Sequence, residues 1–373
     1  MTNIVVRRAG RHVDWPLILA TLGLLTIGLI TLVAAAASPL SDELPSAVAR
    51  QALFIGVGLA GMAILAFVDP RVFERGAYVF YGVVLVLLVL VLLVGPSVNG
   101  SHRWLPLGPI RLQPSELAKI ALVLATARWF STRSREDGWG FKELMQPALL
   151  FLGPMALMTF LEPDLGTSLF LCFIFAGLSF VVGLRWRTMA VILLIGVIAA
   201  PMAYQFVLSD YQRKRVDVLF APDEDPSGKG YQAIQGKWAI GSGQTWGKGW
   251  REGTQGRLRF LPEQHTDFIF SVYAEERGFV GSFALLLLYF GQMLLGLVVA
   301  WNARDRFGSL LAAGVVTILF CQVCINLGGV LGLLPITGVT LPFMSYGGSS
   351  VMTLLFSVGL LLSVSMRRVG SAG

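Results

Sequence analysis

The sequence predicts an all-α polytopic membrane protein of about ten transmembrane helices, with one large extracytoplasmic loop carrying a short amphipathic helix. Three observations carry that prediction. Of 373 residues, 55% are hydrophobic and 14% charged, and the mean hydropathy is +0.71, an excess of apolar residues that a soluble core does not need. Apolar runs approaching the ~20 residues required to span a bilayer recur along the whole chain. Lys and Arg between those runs are distributed unevenly, as membrane topology demands.

The runs fall near 14–38, 48–69, 75–95, 115–131, 145–161, 165–183, 188–208, 268–301, 307–333 and 344–366. The fifth and sixth are joined only by Glu162-Pro163-Asp164, a tight turn. The first is too long for the apolar part of a cleavable signal. With the N-terminus cytoplasmic, the inside segments hold Arg7, Arg8 and Arg11, then Arg71 and Arg75, then Arg133, Arg135 and Lys142. Arg185, Arg187, Arg304, Arg306, Arg367 and Arg368 complete that set. The short outside loops hold only Arg50, Arg103 and Arg111. Both ends are therefore expected inside the cytoplasmic membrane. The formal charge of +7 is explained by topology and calls for no nucleic acid.

The loop 209–266 lies outside in this arrangement and is too long for a mere connector. Tyr231, Ile234 and Trp238 recur at helical spacing, so 230–240 reads as an amphipathic helix resting in the membrane interface. Asp210–Arg215, DYQRKR, places Arg213, Lys214 and Arg215 in succession beside the membrane. Such a cluster suits phosphate oxygens, or is a solvated loop face. Gly247-Lys248 resembles the end of a phosphate-binding P-loop, but residue 242 is Ser and residue 249 is Gly, so the pattern fails on both sides. Asp223-Glu224-Asp225 between two prolines is an acidic turn rather than a cation loop.

The candidate chemistry lies in 261–278, LPEQHTDFIFSVYAEERG. His265 and Thr266 crowd the mouth of a membrane helix, and Asp267 is expected in its first turn. Helical spacing puts Ser271, Ala274, Glu275 and Gly278 on nearly the same face as Asp267. Charge inside a membrane helix usually faces a bundle interior or a wet cavity, so this face reads as a cavity wall. The plainer alternative is that Thr266 and Asp267 only cap the helix. Glu116 and Lys119 stand i,i+3 on another helix, either as a self-neutralising structural pair or as a cavity pair that orients a substrate. Arg103 and Trp104 sit at the outer interface, where Trp anchors and Arg can grip a lipid phosphate. The stretch 327–350 breaks a helix with glycines and prolines, tolerated at membrane depth only where backbone is buried or lines a cavity. Cys172, Cys321 and Cys324 lie in apolar runs and are expected to form neither disulfide nor zinc site.

NGSHRWLPLGPIRLQPSELAK (99–119), LEPDLGTSL (161–169), residues 214–278 and GLLPITGVTLPFMSYGGSS (332–350) resemble the SEDS family of shape, elongation, division and sporulation proteins. The last motif and LPEQHTDFIFSV are closer to its elongation members than to its division members. The resemblance implies a single SEDS membrane domain over 1–373, with tails 1–13 and 367–373 cytoplasmic. It implies a bacterial inner-membrane peptidoglycan glycosyltransferase that polymerises lipid II for rod shape. The implied partners are a class B penicillin-binding transpeptidase and other elongation-complex membrane proteins. The family's essential loop aspartate falls on Asp267, its intramembrane acid–lysine pair on Glu116 and Lys119, and its Arg-Trp on Arg103 and Trp104. Asp267 is then the base, with Glu116, Lys119, Arg103, Trp104, Arg213, Lys214, Arg215, His265 and Glu275 as cavity or substrate-binding candidates. The leaving diphosphate needs its charge met, by Arg213, Lys214 or Arg215, or by a divalent cation such as Mg or Mn; no other cofactor is expected. The competing readings are a lipid II flippase and a noncatalytic scaffold for cell-wall enzymes.

Overall fold

The computed structural model describes residues 13–36, 46–98, 101–107, 110–133, 135, 137–225, 228–254 and 263–367. Residues 1–12 and 368–373 of the expected tails 1–13 and 367–373, the turn at Gly108-Pro109, and Pro262 lie outside the described residues. Twelve helices dominate. In chain order they are α1 (Trp15–Ala36), α2 (Ser46–Phe67), α3 (Pro70–Val94), α4 (Pro114–Ser131), α5 (Phe141–Leu161) and α6 (Leu165–Gly183). Then follow α7 (Trp186–Phe206), α8 (Asp210–Phe220), α9 (Lys229–Ser242), α10 (Ile269–Trp301), α11 (Arg306–Leu331) and α12 (Gly348–Ser365). Two antiparallel ribbons of two strands each, between Ser97 and Leu112, bridge α3 and α4.

Nine of these helices are long and apolar enough to cross a membrane. The tenth expected span, α4, carries Glu116, Lys119 and Arg128 within its eighteen residues. It tolerates them because it runs through the centre of the bundle: every residue from Ala118 to Ala127 is buried. With α11 and α12 it forms an inner layer, while α3 and α7 present Val79, Val86, Leu93, Leu193 and Val197 outward, as lipid requires. Small residues set the close crossings. Gly58 and Gly61 of α2 lie under Leu355 and Phe356 of α12, and Gly359 lies under the Met62 backbone.

Local chemistry starts and stops the elements where the sequence has the means. Asp69 caps α3 by accepting from the Arg71 N–H, with Pro70 following. Asp305 caps α11 through the Gly308 N–H, and Gly332 ends that helix in the left-handed conformation. In α5 a π-helical turn spans Ala148–Leu152 just after Pro147, which lacks the N–H that regular pairing needs.

The helix expected over 230–240 is present, as α9, and two other expectations are corrected. The loop 209–266 holds two helices, and DYQRKR is the start of α8, where Ser209 and Gln212 form a capping box. Helix α9 buries its small residues Ala233, Gly236 and Ala239, while Trp238 is exposed. Small side chains let its backbone approach α10, where a Cβ on Gly236 would stand 2.8 Å from the Phe268 ring. Finally, α10 is not one straight helix. At Gly278 (φ 64°, ψ −163°) it breaks, and the loop after α9 threads the gap. Lys248 and Gly249 N–H groups donate to the Glu275 and Glu276 carbonyls, and Phe279 and Val280 donate to those of Gln244 and Thr245. Two carbonyls and two N–H groups beside the break thereby find partners. A Cβ on Gly278 would lie 2.3 Å from the Gly247 nitrogen, so glycine is required at the crossing.

Candidate active site

A cavity of about 1390 Å³ opens at one end of the bundle. Lys119 and Glu116 form its wall on α4, Arg103 and Trp104 its rim, Arg215 of α8 one flank, and Asp267 the segment leading into α10. The broken stretch from Thr337 to Ser350 closes the remaining side.

Each group is held by identifiable neighbours. Lys119 Nζ donates to Glu116 Oε1 at 2.8 Å and lies 5.0 Å from the Phe170 ring centroid. Both side chains are buried, and Glu116 Oε2 has no hydrogen-bond partner among the described residues. Arg103 Nη2 donates to the Pro163 carbonyl at 2.6 Å, and its Nε lies 3.7 Å from Asp164 Oδ2. Asp164 is itself fixed as the N-cap of α6, accepting from the Thr167 N–H and hydroxyl. Arg215 Nη1 donates to the Thr337 carbonyl at 3.0 Å, tying α8 to the broken stretch.

Asp267 is clamped through its backbone. Asn326 Nδ2, on α11, donates to the carbonyls of both Asp267 (3.1 Å) and Val339 (2.8 Å). Ser345 Oγ donates to the Thr266 carbonyl at 2.6 Å, and the Tyr346 N–H donates to the His265 carbonyl at 2.8 Å. Gly338 (φ 80°) leaves room for the carboxylate, since a Cβ there would stand 3.7 Å from Asp267 Oδ2. Three bonds to three consecutive carbonyls fix where this aspartate stands, relative to a loop that the same residues hold.

Glu162, at the turn beside Asp164, is fully buried with neither carboxyl oxygen partnered among the described residues. Burial first, and the neighbouring Asp164 second, push its pKa up to about 8 from 4.5, with Arg103 opposing. The sequence offered this group only as part of a tight turn and of the LEPDLGTSL stretch, with no role attached.

The cavity gathers Asp267, Glu116, Lys119, Arg103, Trp104 and Arg215, and adds Arg50 and Arg111, which the sequence offered only as loop charges. It excludes four candidates. Because DYQRKR is helical, successive cations fan about 100° apart, and one of three faces inward. Arg213 turns to the end of α7, donating to the Tyr204 and Gln205 carbonyls. Lys214 is exposed on α8. His265 packs its ring edge-on against Tyr346, at 6.0 Å. Glu275 is fully buried away from the cavity, accepting from Lys248 Nζ at 2.6 Å and from the Thr254 N–H at 2.9 Å. The face of α10 expected to wall the cavity is covered by α9 and the threading loop. Asp267 itself precedes the helix, whose N-cap is Phe268.

The chain matches the model of the FtsW, RodA and SpoVE family of cell cycle proteins over residues 15–369. It belongs to this family. The peptidoglycan glycosyltransferase MrdB of Escherichia coli (strain K12) is 41% identical over 321 residues, covering 84% of each chain. Stage V sporulation protein E of Bacillus subtilis (strain 168) is 37% identical over 358 residues, covering 94% of this chain and 96% of its own. Among solved structures, the rod shape determining protein RodA of Thermus thermophilus superposes with a TM-score of 0.71 at 32% identity, covering 96% of this chain and 98% of its own. A chain from a peptidoglycan synthase complex that coordinates polymerization and crosslinking superposes with a TM-score of 0.81 at 36% identity, covering 95% of this chain and 98% of its own. The solved structures thus share the fold over nearly the whole chain.

Among the described residues, no three His, Cys, Asp or Glu side chains meet as a ligand set for a metal ion. The three cysteines are free thiols.

Proposed function

We propose that this protein is a peptidoglycan glycosyltransferase that polymerises lipid II at the outer face of the cytoplasmic membrane, with Asp267 as general base. The observation that carries the reading is Asp267 on the rim of a cavity that also holds Arg50, Arg103, Arg111, Lys119 and Arg215. A carboxylate at the mouth, where Glu263 also lies, with cations around it, is the pattern needed to join two sugars while releasing a diphosphate.

In this mechanism the acceptor 4-hydroxyl attacks the anomeric carbon of a second lipid-linked glycan, and its proton passes to Asp267. The new C–O bond forms as the bond from that carbon to the diphosphate oxygen breaks. The electron pair leaves with the undecaprenyl diphosphate, and attack opposite the leaving group inverts the anomeric centre. The arginines hold the diphosphate and meet its charge, so a second carboxylate is not needed as acid. Paired Glu116 and Lys119 orient polar groups of the sugar deeper in the cavity.

The charge bias of the connections supports the orientation. Arg71, Arg304 and Arg367 meet at one cavity, and Arg133, Arg135 and Lys142 at another. Both come from segments assigned inside. A class B penicillin-binding transpeptidase, and with it other elongation-complex membrane proteins, are the partners this reading expects. Similarity to a chain of a synthase that couples polymerization to crosslinking supports the transpeptidase.

A flippase would need a path through the bundle. Beneath the cavity the core of α4, from Ala118 to Ala127, is buried on every side, which favours chemistry at one face.

The test is polymerisation of purified lipid II by the wild type and by Asp267→Asn. The partner should lack a glycosyltransferase domain and have its transpeptidase site blocked. Glycan strands from the wild type and none from a folded Asp267→Asn are expected. Equal product from both would remove Asp267 from the chemistry. Transbilayer movement of lipid II without polymer, from the wild type, would install the flippase.

A further inference from the structure

The far ends of α4 and α5 carry a second polar cavity, of about 820 Å³. Trp129 on its wall is thirteen residues along α4 from Glu116, about 20 Å at the helical rise, so the two cavities lie at opposite ends of the bundle. Nothing in the transfer chemistry uses its side chains.

Cations stacked on two indole rings build it. Arg133 lies 3.5 Å over the Trp129 ring and donates to the Trp129 carbonyl and the Thr132 hydroxyl. Arg135 lies 5.3 Å over the Trp139 ring and donates to Glu143 Oε1 at 3.3 Å. Lys142 completes the cationic wall. Trp139 is fixed by backbone bonds, its N–H donating to the Gly183 carbonyl and its carbonyl accepting from the Arg185 N–H. Beneath the cations, the indole Nε1–H groups of Trp129 and Trp139 have no acceptor among the described residues, although those side chains are 8% and 2% exposed. Both nitrogens are closed off from solvent, so what the cavity presents is the cations stacked on these rings. Glu143 is already bonded to Arg135. Glu136 and Asp137 balance the charge of the connecting segment by sequence, so the attraction is local to the three gathered cations.

A wall of guanidinium and ammonium donors selects an oxygen-rich anion. Next to it on α5, Met145 and Leu149 are exposed one turn apart, followed by Leu150, an apolar strip along which an acyl chain can lie. We infer that this cavity binds the phosphate of an anionic phospholipid headgroup, with its acyl chain along α5. Only its assignment to the cytoplasmic leaflet rests on the orientation proposed above. Basic pockets between membrane helices on that side suit such headgroups.

The test uses the full-length protein in neutral detergent and needs no glycosyl transfer, so it is independent of the activity assay. Thermal unfolding is followed while short-chain phosphatidylglycerol, short-chain phosphatidylcholine or inorganic phosphate is titrated. Phosphatidylglycerol should raise the midpoint saturably and phosphatidylcholine should not. The triple variant Arg133→Gln, Arg135→Gln, Lys142→Gln should need about tenfold more phosphatidylglycerol, or greater. Lys142→Gln alone alters one exposed side chain, so it keeps the test open if the triple variant folds poorly; it should shift the curve in the same direction. Unchanged curves in both variants, or equal stabilisation by phosphatidylcholine, would overturn the site. Saturation by inorganic phosphate at the concentration that phosphatidylglycerol requires would overturn the lipid assignment.

Discussion

Replacing Lys248 by methionine should destabilise the protein through a charge lying far from the cavity. Glu275 is fully buried, and its Oε1 accepts from Lys248 Nζ at 2.6 Å, the Thr254 N–H at 2.9 Å and the Thr254 hydroxyl at 3.1 Å. Removing one member of a buried ion pair costs about 3–5 kcal/mol when the other is left uncompensated. Here the Lys248 side chain is 28% exposed and the Thr254 donors remain, so we expect roughly 2 kcal/mol, a drop of a few degrees in the unfolding midpoint. Glu275→Gln removes the stranded charge, so the double variant should recover about half of that loss. Because Glu275 stands apart from the sugar-binding groups, the folded double variant should polymerise lipid II at close to the wild-type rate. Thermal unfolding in detergent and a polymerisation assay, run on all four members of the cycle, measure both claims. Strictly additive midpoints would refute the buried pair. A well-folded double variant without activity would return Glu275 to the cavity.

Three further outcomes are expected. Glu162 holds its proton in the folded protein up to about pH 8, whereas unfolded it releases it near 4.5, so its contribution to stability is lost as pH rises through that window. Glu162→Gln should therefore leave the midpoint unchanged at pH 5 and raise it at pH 9, on the order of 1 kcal/mol per unit of raised pKa; a gap that does not vary with pH sinks the assignment. Asn326→Ala removes the clamp shared by Asp267 and Val339 and should lower kcat about tenfold or more with little change in KM, because a base displaced by an ångström loses its alignment. A proportional loss of folded protein with unchanged kcat per folded molecule would make the residue merely structural. Gly278→Ala forces a side chain into a glycine-only conformation against the Gly247 backbone, and should cost about 2–4 kcal/mol; wild-type stability in this variant would show that the crossing yields easily.

The spans were legible in the sequence because lipid imposes a one-dimensional rule: apolar length sets a helix, and Lys and Arg set its direction. Ten runs became ten helices with ends shifted by a few residues, and Glu116 and Lys119 were paired by helical spacing alone. The four-residue arithmetic of a helix also suggested that Glu275 shares the exposure of Asp267, and there it failed. Asp267 lies before the helix begins, and the face carrying Glu275 is sealed by a loop about thirty residues earlier in the chain. In the same way DYQRKR reads as three equivalent cations until a capping box winds it into a helix and sends Arg213 one way and Arg215 another. Arg50, Arg111 and Glu162 carried no local signature, because burial and convergence are properties of segments distant in sequence brought together by packing. Sequence by itself determined which stretches cross the membrane and which residues can bear charge. Only the tertiary structure decided which of those charges meet, since periodicity fixes direction within one helix and nothing in it encodes the neighbour that covers the face.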